Sequence, residues 1–110
     1  MATAYKVLGQ SSPAATTNAA LYTTPSSTST VVSTITVCNQ ASTAGTFRIA
    51  IRPAGASIAA VHYLAYDTPI AANDTIALTL GITLATTDVV TIYASSATMS
   101  FAAFGSEITA

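Results

Sequence analysis

Along most of this chain apolar and polar residues change places at every step, a period of two rather than the 3.6 of a helix. Val31, Ser33, Ile35 and Val37 alternate with Val32, Thr34, Thr36 and Cys38, which predicts a long strand over about 30–39. Phe47, Ile49 and Ile51 alternate with Arg48, Ala50 and Arg52 and predict a second strand. The polar run from Asn39 to Gly45 between them reads as the loop of a hairpin. Pro53-Ala54-Gly55 closes the second strand, because proline lacks the N–H a ladder needs and glycine permits a turn.

A third strand is expected over Ile58 to Tyr66, ended by Asp67-Thr68-Pro69. Val61, Tyr63 and Ala65 on one side and His62, Leu64 and Tyr66 on the other are both fairly apolar, as in a strand covered on both faces. After the turn at Asn73-Asp74, Ile76, Leu78 and Leu80 alternate with Thr75, Ala77 and Thr79. Gly81 then marks a bulge or a bend between two sheets, and Ile82 and Leu84 follow. Beyond a loop at Ala85 to Asp88, Val90, Ile92 and Ala94 form one strand and Met99, Phe101 and Ala103 another, with Ser95-Ser96-Ala97 turning the chain between them. Gly105 to Ala110 reads as a tail that ends in a short strand through Ile108.

The first third is less regular. Ala4 to Leu8 reads as a strand, Gln10 to Asn18 as a low-complexity Ser/Pro/Ala/Thr segment, and Leu21 to Pro25 as a short edge strand. Residues 1–19 are therefore taken as an N-terminal arm with a first strand, and residues 20–110 as the single folded domain. The arm is expected to lie over a neighbouring subunit and to order on assembly. No stretch carries an apolar stripe at helical spacing, and Thr and Ser crowd every Ala-rich run.

About seven or eight short strands with turn signals every 8–12 residues predict an all-β protein, an antiparallel two-sheet β-sandwich of jelly-roll-like form. The inward positions are expected to be Ile35, Val37, Phe47, Ile49, Ile51, Ile76, Leu78, Leu80, Val90, Ile92, Met99 and Phe101, with Thr, Ser and Ala outside.

Composition sharpens this picture in one respect. Only 6% of the 110 residues are charged, against 51% hydrophobic, where an ordinary soluble domain is about 25% charged. Ala, Thr and Ser make up half the chain. A solitary domain uses charge to stay soluble and to keep strand edges from pairing. Its scarcity points to a subunit whose surface is covered by copies of itself or by a larger assembly, since faces without charge are buried without the cost of desolvating ions.

Candidate chemistry is thin. Lys6, Arg48 and Arg52 cannot build the basic stripe that nucleic-acid binding needs, and the two arginines read as solvated edge charges or a local anion contact. The single His62 and single Cys38 exclude a multi-His or Cys metal site and an intrachain disulfide, and Cys38 reads as a buried inert thiol. There is no Gly-x-Ser-x-Gly elbow or phosphate loop, and Asp67, Asp74 and Asp88 sit at turns, where aspartate ordinarily caps the backbone. The expectation is a protein that is not an enzyme and binds no cofactor. Met1 to Gln10 lacks the apolar core of a signal peptide and no run is long enough for a membrane helix, so the chain is expected to fold in a cytoplasm, with no membrane partner. The residues singled out for an interface are Tyr22, His62, Tyr63, Tyr66, Tyr93, Arg48 and Arg52. Tyr63 and Tyr66 also suit a sugar-binding platform.

The stretches Leu21 to Pro25 (LYTTP), Val31 to Asn39 (VVSTITVCN), Thr46 to Gly55 (TFRIAIRPAG), His62 to Thr68 (HYLAYDT), Asn73 to Ile82 (NDTIALTLGI) and Phe104 to Ile108 (FGSEI) resemble small virion structural proteins of tailed phages, cyanophages among them. The resemblance spans roughly residues 20–109 and departs at Ser26-Ser27, where that group commonly has glycine after the Leu-Tyr-x-x-Pro segment. It implies a virion protein assembled in the host cytoplasm, a homotrimer or other symmetric oligomer that touches the major capsid protein or tail proteins. Decoration or cementing of the capsid is the leading expectation. A tail, baseplate or fibre-associated role is the first alternative, and a carbohydrate-binding module for host attachment is the alternative from another class.

Overall fold

A computed structural model describes residues 2–109 and shows two antiparallel sheets packed face to face. The strands are β1 (Ala2–Ser11), β2 (Ala19–Thr23), β3 (Thr28–Asn39), β4 (Gly45–Arg52), β5 (Tyr63–Ile70), β6 (Thr75–Leu78), β7 (Ile82–Leu84), β8 (Val89–Ala94) and β9 (Met99–Thr109). The first sheet runs β1-β9-β3-β6, with β7 also paired to β3, and the second runs β2-β8-β4-β5. Counted as one interrupted strand, β6 and β7 complete two four-stranded sheets, and all connections but β4–β5 and β6–β7 cross from one sheet to the other. This is a jelly-roll connectivity. It makes the expected hairpin after Asn39 a crossing instead, since β3 and β4 lie in different sheets.

The core lies between the sheets. Val32, Ile35, Val37, Met99, Phe101 and Ala103 from the first sheet meet Phe47, Ile49, Ile70, Val90, Ile92 and Ala94 from the second. Phe47 and Phe101 meet edge to face across the interface, with centroids 6.3 Å apart. Ile51, Ile76 and Leu78 pack against this core only partly buried, while Leu80 is 51% exposed. Leu80 leaves the core because β6 ends at Leu78 and Gly81, at φ +63°, turns the chain before β7 begins. The bend lies within the first sheet, not between the sheets, because β6 and β7 both pair with β3.

Bulges in two strands of the first sheet reset the alternation. In β3 the register against β9 shifts between Val32 and Thr34, so Thr28, Thr30 and Val32 face inward before Ser33, and Ile35, Val37 and Asn39 after it. In β1 a matching shift sits between Val7 and Gly9. Gly105 allows the close approach here: a Cβ on it would fall against the Val31 carbonyl oxygen.

Several other boundaries differ from the sequence reading. Two short 3-10 turns, Pro53–Gly55 and Ala60–His62, occupy the link where the third strand was expected to start, and β5 begins at Tyr63. It runs through Asp67-Thr68-Pro69 rather than ending there; β5 is an edge strand, where proline forfeits no ladder bond. Its outward side is open, with Leu64 and Tyr66 exposed, as is Val61 in the 3-10 turn before it. The expected C-terminal tail is the second half of β9, an inner strand paired with both β1 and β3. The expected arm is an edge strand paired with β9 from Ala2 to Ser11, followed by a crossing tied down by Ser12 Oγ to Met99 O (3.2 Å) and Thr16 N to Ala94 O (2.8 Å).

Candidate functional site

The outward side of the second sheet gathers four of the seven singled-out residues. Between Phe47 and Ile49 the ladder of β4 against β5 slips, so that Tyr66 and Asp67 of β5 both oppose the single residue Arg48. Asp67 takes φ +48° to do so, a conformation that aspartate tolerates better than most residues. Arg48 accordingly donates from Nε to Asp67 Oδ1 at 2.7 Å and from Nη2 to Asp67 Oδ2 at 3.3 Å. Its guanidinium carbon lies 4.2 Å from the ring centroids of both Tyr66 and Tyr93. Tyr93 is the direct cross-strand neighbour of Arg48 on β8, and Tyr63 packs edge-on against Tyr66 with centroids 4.8 Å apart.

The cluster is therefore a stacked, charge-compensated Arg–Tyr–Tyr–Asp group, not a solvated edge charge. The carboxylate hydrogen bond holds Arg48 firmly protonated, above its already high ordinary value. A shallow open hollow of about 430 Å³ adjoins it, lined by Ile58, Ala59, Ala60, Tyr63 and Tyr66.

The other three singled-out residues stand outside this cluster, although Arg52 shares the outward side of β4 with Arg48. Arg52 closes the link after β4, donating to Thr91 Oγ1 (2.9 Å), Gly55 O (3.3 Å) and Ala56 O (3.0 Å). His62 caps the second 3-10 turn, its Nδ1 accepting from the Ala59 amide at 3.1 Å. Tyr22 is not on the surface at all. It is buried between the sheets, where its hydroxyl donates to Glu107 Oε2 at 2.5 Å and lies 2.7 Å from Thr30 Oγ1.

That buried group is a second polar centre, and the sequence reading missed it. Glu107 Oε1 also pairs with Lys6 Nζ at 2.6 Å, so three strands of the first sheet and one of the second meet there. Lys6 first and Tyr22 next hold the Glu107 carboxyl below the ordinary carboxylate range, while burial and the Glu107 carboxylate push the Tyr22 hydroxyl up to about 12. The available signal was parity: Met99, Phe101, Ala103 and Glu107 share the inward side of β9.

The turn aspartates divide. Asp88 accepts from the amides of Ala54 and Ala85, both at 2.8 Å, and Asp74 from that of Thr75 at 2.8 Å, so both are backbone caps. Asp67 is committed to Arg48 instead. Among the described residues no group of three His, Cys, Asp or Glu side chains converges as metal ligands would. Nor is any helix among them long and apolar enough to cross a membrane.

The outer face of the first sheet is different in kind. Register places Thr3, Tyr5 and Val7 of β1 beside Ile108, Ser106 and Phe104 of β9, and these beside Ser29, Val31 and Thr34 of β3. Farther along, Ala102 and Ser100 adjoin Thr36 and Cys38, which in turn adjoin Ala77 and Thr75. Lys6 and Glu107 occupy inward register positions, so among the described residues this face carries no charged side chain. Tyr5 is 85% exposed on it, with Val7 and Phe104 also exposed. Cys38, expected to be buried, is a half-buried thiol on this side.

The sheet edges are protected where the faces are not. β1 carries a bulge and an inward lysine, β2 is five residues long with a register shift, β5 holds Pro69 and the Asp67 bulge, and β6–β7 is broken at Gly81. Compared with known proteins, the chain matches no family model, no curated protein and no solved structure.

Proposed function

We propose that this chain is a phage virion structural protein that decorates or cements the capsid through symmetric subunit contacts. The observation that carries the reading is the charge-free outer face of the first sheet, set beside four blunted edges. A surface of this kind is covered at low electrostatic cost, and blunted edges steer association onto faces rather than into open-ended strand pairing. The Arg48–Tyr66–Tyr93 cluster adds residue types that anchor protein interfaces, on the opposite side of the sandwich. Jelly rolls serve in viral capsids, lectins and cupins alike, so the fold by itself does not select among these roles. The sequence resemblance to phage virion proteins favours the first.

Particle composition is the test. Hundreds of copies on DNA-filled heads lacking tails are expected for a decoration protein. A few copies found only with tails would transfer the chain to the tail, baseplate or fibre.

One observation favours a second reading, a carbohydrate-binding module: the hollow beside Tyr63 and Tyr66, with a ring surface suited to stacking on a sugar. Binding on a glycan array that disappears in Tyr66→Ala would support it. Silence across host polysaccharides would count against it.

A further inference from the structure

Resting on the assembly reading, we propose that the outer face of the first sheet is a self-association surface, on which a second copy of this chain packs about a two-fold axis.

The size of the face suits a dimer. It is four strands wide and its long strands are 10 to 12 residues. At about 4.8 Å between strands and about 3.4 Å per residue this spans roughly 700 Å², close to the roughly 800 Å² that each partner buries in a standard stable interface. Charge selects the occupant. A face whose one bordering charge, Lys6, is answered by Glu107 neither steers nor selects an oppositely charged partner, and it meets its own copy with little like-charge repulsion. A two-fold contact uses the same patch on both subunits, whereas a ring needs two different complementary patches. Here one patch suffices, so among the symmetric oligomers that the resemblance implies, a homotrimer or another, the geometry favours a two-fold dimer.

The relief of the face is consistent with this pairing. Tyr5 stands out at 85% exposure. Beside it lies an open hollow of about 420 Å³, bordered by Tyr5, Val31, Phe104 and Ser106. Lys6 also borders the hollow, its charge answered by Glu107 2.6 Å away. A projecting ring next to a recess is the relief that a two-fold rotation turns into mutual insertion. The blunted edge of β1 disfavours the other obvious two-fold contact, a continuous sheet through β1 of both copies.

The experiment is sedimentation equilibrium of the purified full chain at micromolar concentration. Wild type is expected at twice the 11.1 kDa monomer mass. Thr3→Lys and Tyr5→Lys, both at exposed positions and so without effect on folding, are each expected to halve that mass. Tyr66→Lys, on the opposite face, is expected to leave it unchanged. A wild-type monomer, a dimer that survives both face substitutions, or a dimer lost in Tyr66→Lys would each overturn the proposal. The mass is read without any virion, so failure of this interface and failure of the virion role, which particle composition judges, are separate results.

Discussion

Tyr22 on the second sheet donates a 2.5 Å hydrogen bond to Glu107 on the first, joining across the sandwich the two polar side chains that the apolar core would otherwise exclude. The contact works because each oxygen of the carboxylate is answered, one by Tyr22 and one by Lys6, and because the tyrosine hydroxyl is also met by Thr30. A buried carboxylate without such partners would be strongly destabilising. Lys6 is half exposed at its end of the group, so the cluster opens to water on one side only.

Acid sensitivity follows from the Glu107 carboxyl. Its pKa in the fold lies below the unfolded value, so its contribution is fully present above about pH 4.3 and is lost as pH falls through the lower folded value. Denaturant melts across this range are expected to show a steep acid limb in wild type and a flatter one in Glu107→Gln. An unchanged limb would remove Glu107 from the account of acid stability.

Tyr22 gives the opposite limb. Its hydroxyl is held protonated up to about pH 12 in the fold, above its ordinary value of 10.0. The unfolded chain therefore loses this proton first, and stability is expected to decline as pH rises between these values. Tyr22→Phe abolishes that decline. At neutral pH the same substitution costs about 1–2 kcal/mol, because it strips Thr30 and Glu107 of a buried partner.

Gly105→Ala is expected to destabilise more than an ordinary surface change. The added Cβ would overlap the Val31 carbonyl oxygen, a backbone atom that cannot swing away. Overpacking costs about 1–3 kcal/mol and occasionally more, and a backbone clash belongs at the upper end. Urea unfolding of the variant measures it.

Two apolar residues that the alternation treats alike should behave differently. Phe101→Ala empties the edge-to-face contact with Phe47 and is expected to cost about 3–5 kcal/mol. Leu80→Ser, at a position 51% exposed, should stay within about 0.5 kcal/mol. Paired thermal melts distinguish the two.

On the outer side of the second sheet, Arg48→Ala is expected to release Tyr66 and Tyr93 while leaving the fold intact. The measurement is the aromatic proton spectrum, in which both rings lose the shifts that the stacked guanidinium imposes. Arg48→Lys should behave like Arg48→Ala, since an ammonium neither stacks on two rings nor bonds Asp67 through two nitrogens.

The sheets and most of the core were legible because period-two alternation is a direct image of a half-buried strand. Ile35, Val37, Phe47, Ile49, Val90, Ile92, Met99 and Phe101 all occupy the interior that the alternation assigns them. What escaped was wherever the ladder slips. The bulge at Ser33 exchanges the faces of β3, yet serine there carries no signal beyond polarity. The bulge at Tyr66-Asp67 looked like a strand end because Asp-Thr-Pro resembles a turn, although the edge position of β5 tolerates all three. The surface cluster was half visible: its arginine and tyrosines stood out, but their meeting depends on that same slip. Of the Lys6–Glu107–Tyr22 group only the inward parity of Glu107 was legible, because its members lie far apart in the chain and join only through the β1–β9 ladder and the packing of one sheet on the other.

The proposed virion role is tested most directly by a density map of the intact particle. The account predicts this jelly roll at the joints between major capsid subunits, repeated over the whole head, with the Tyr5–Phe104 face covered. Density confined to the tail, or a head-bound copy whose Tyr5–Phe104 face looks out to solvent, would contradict it.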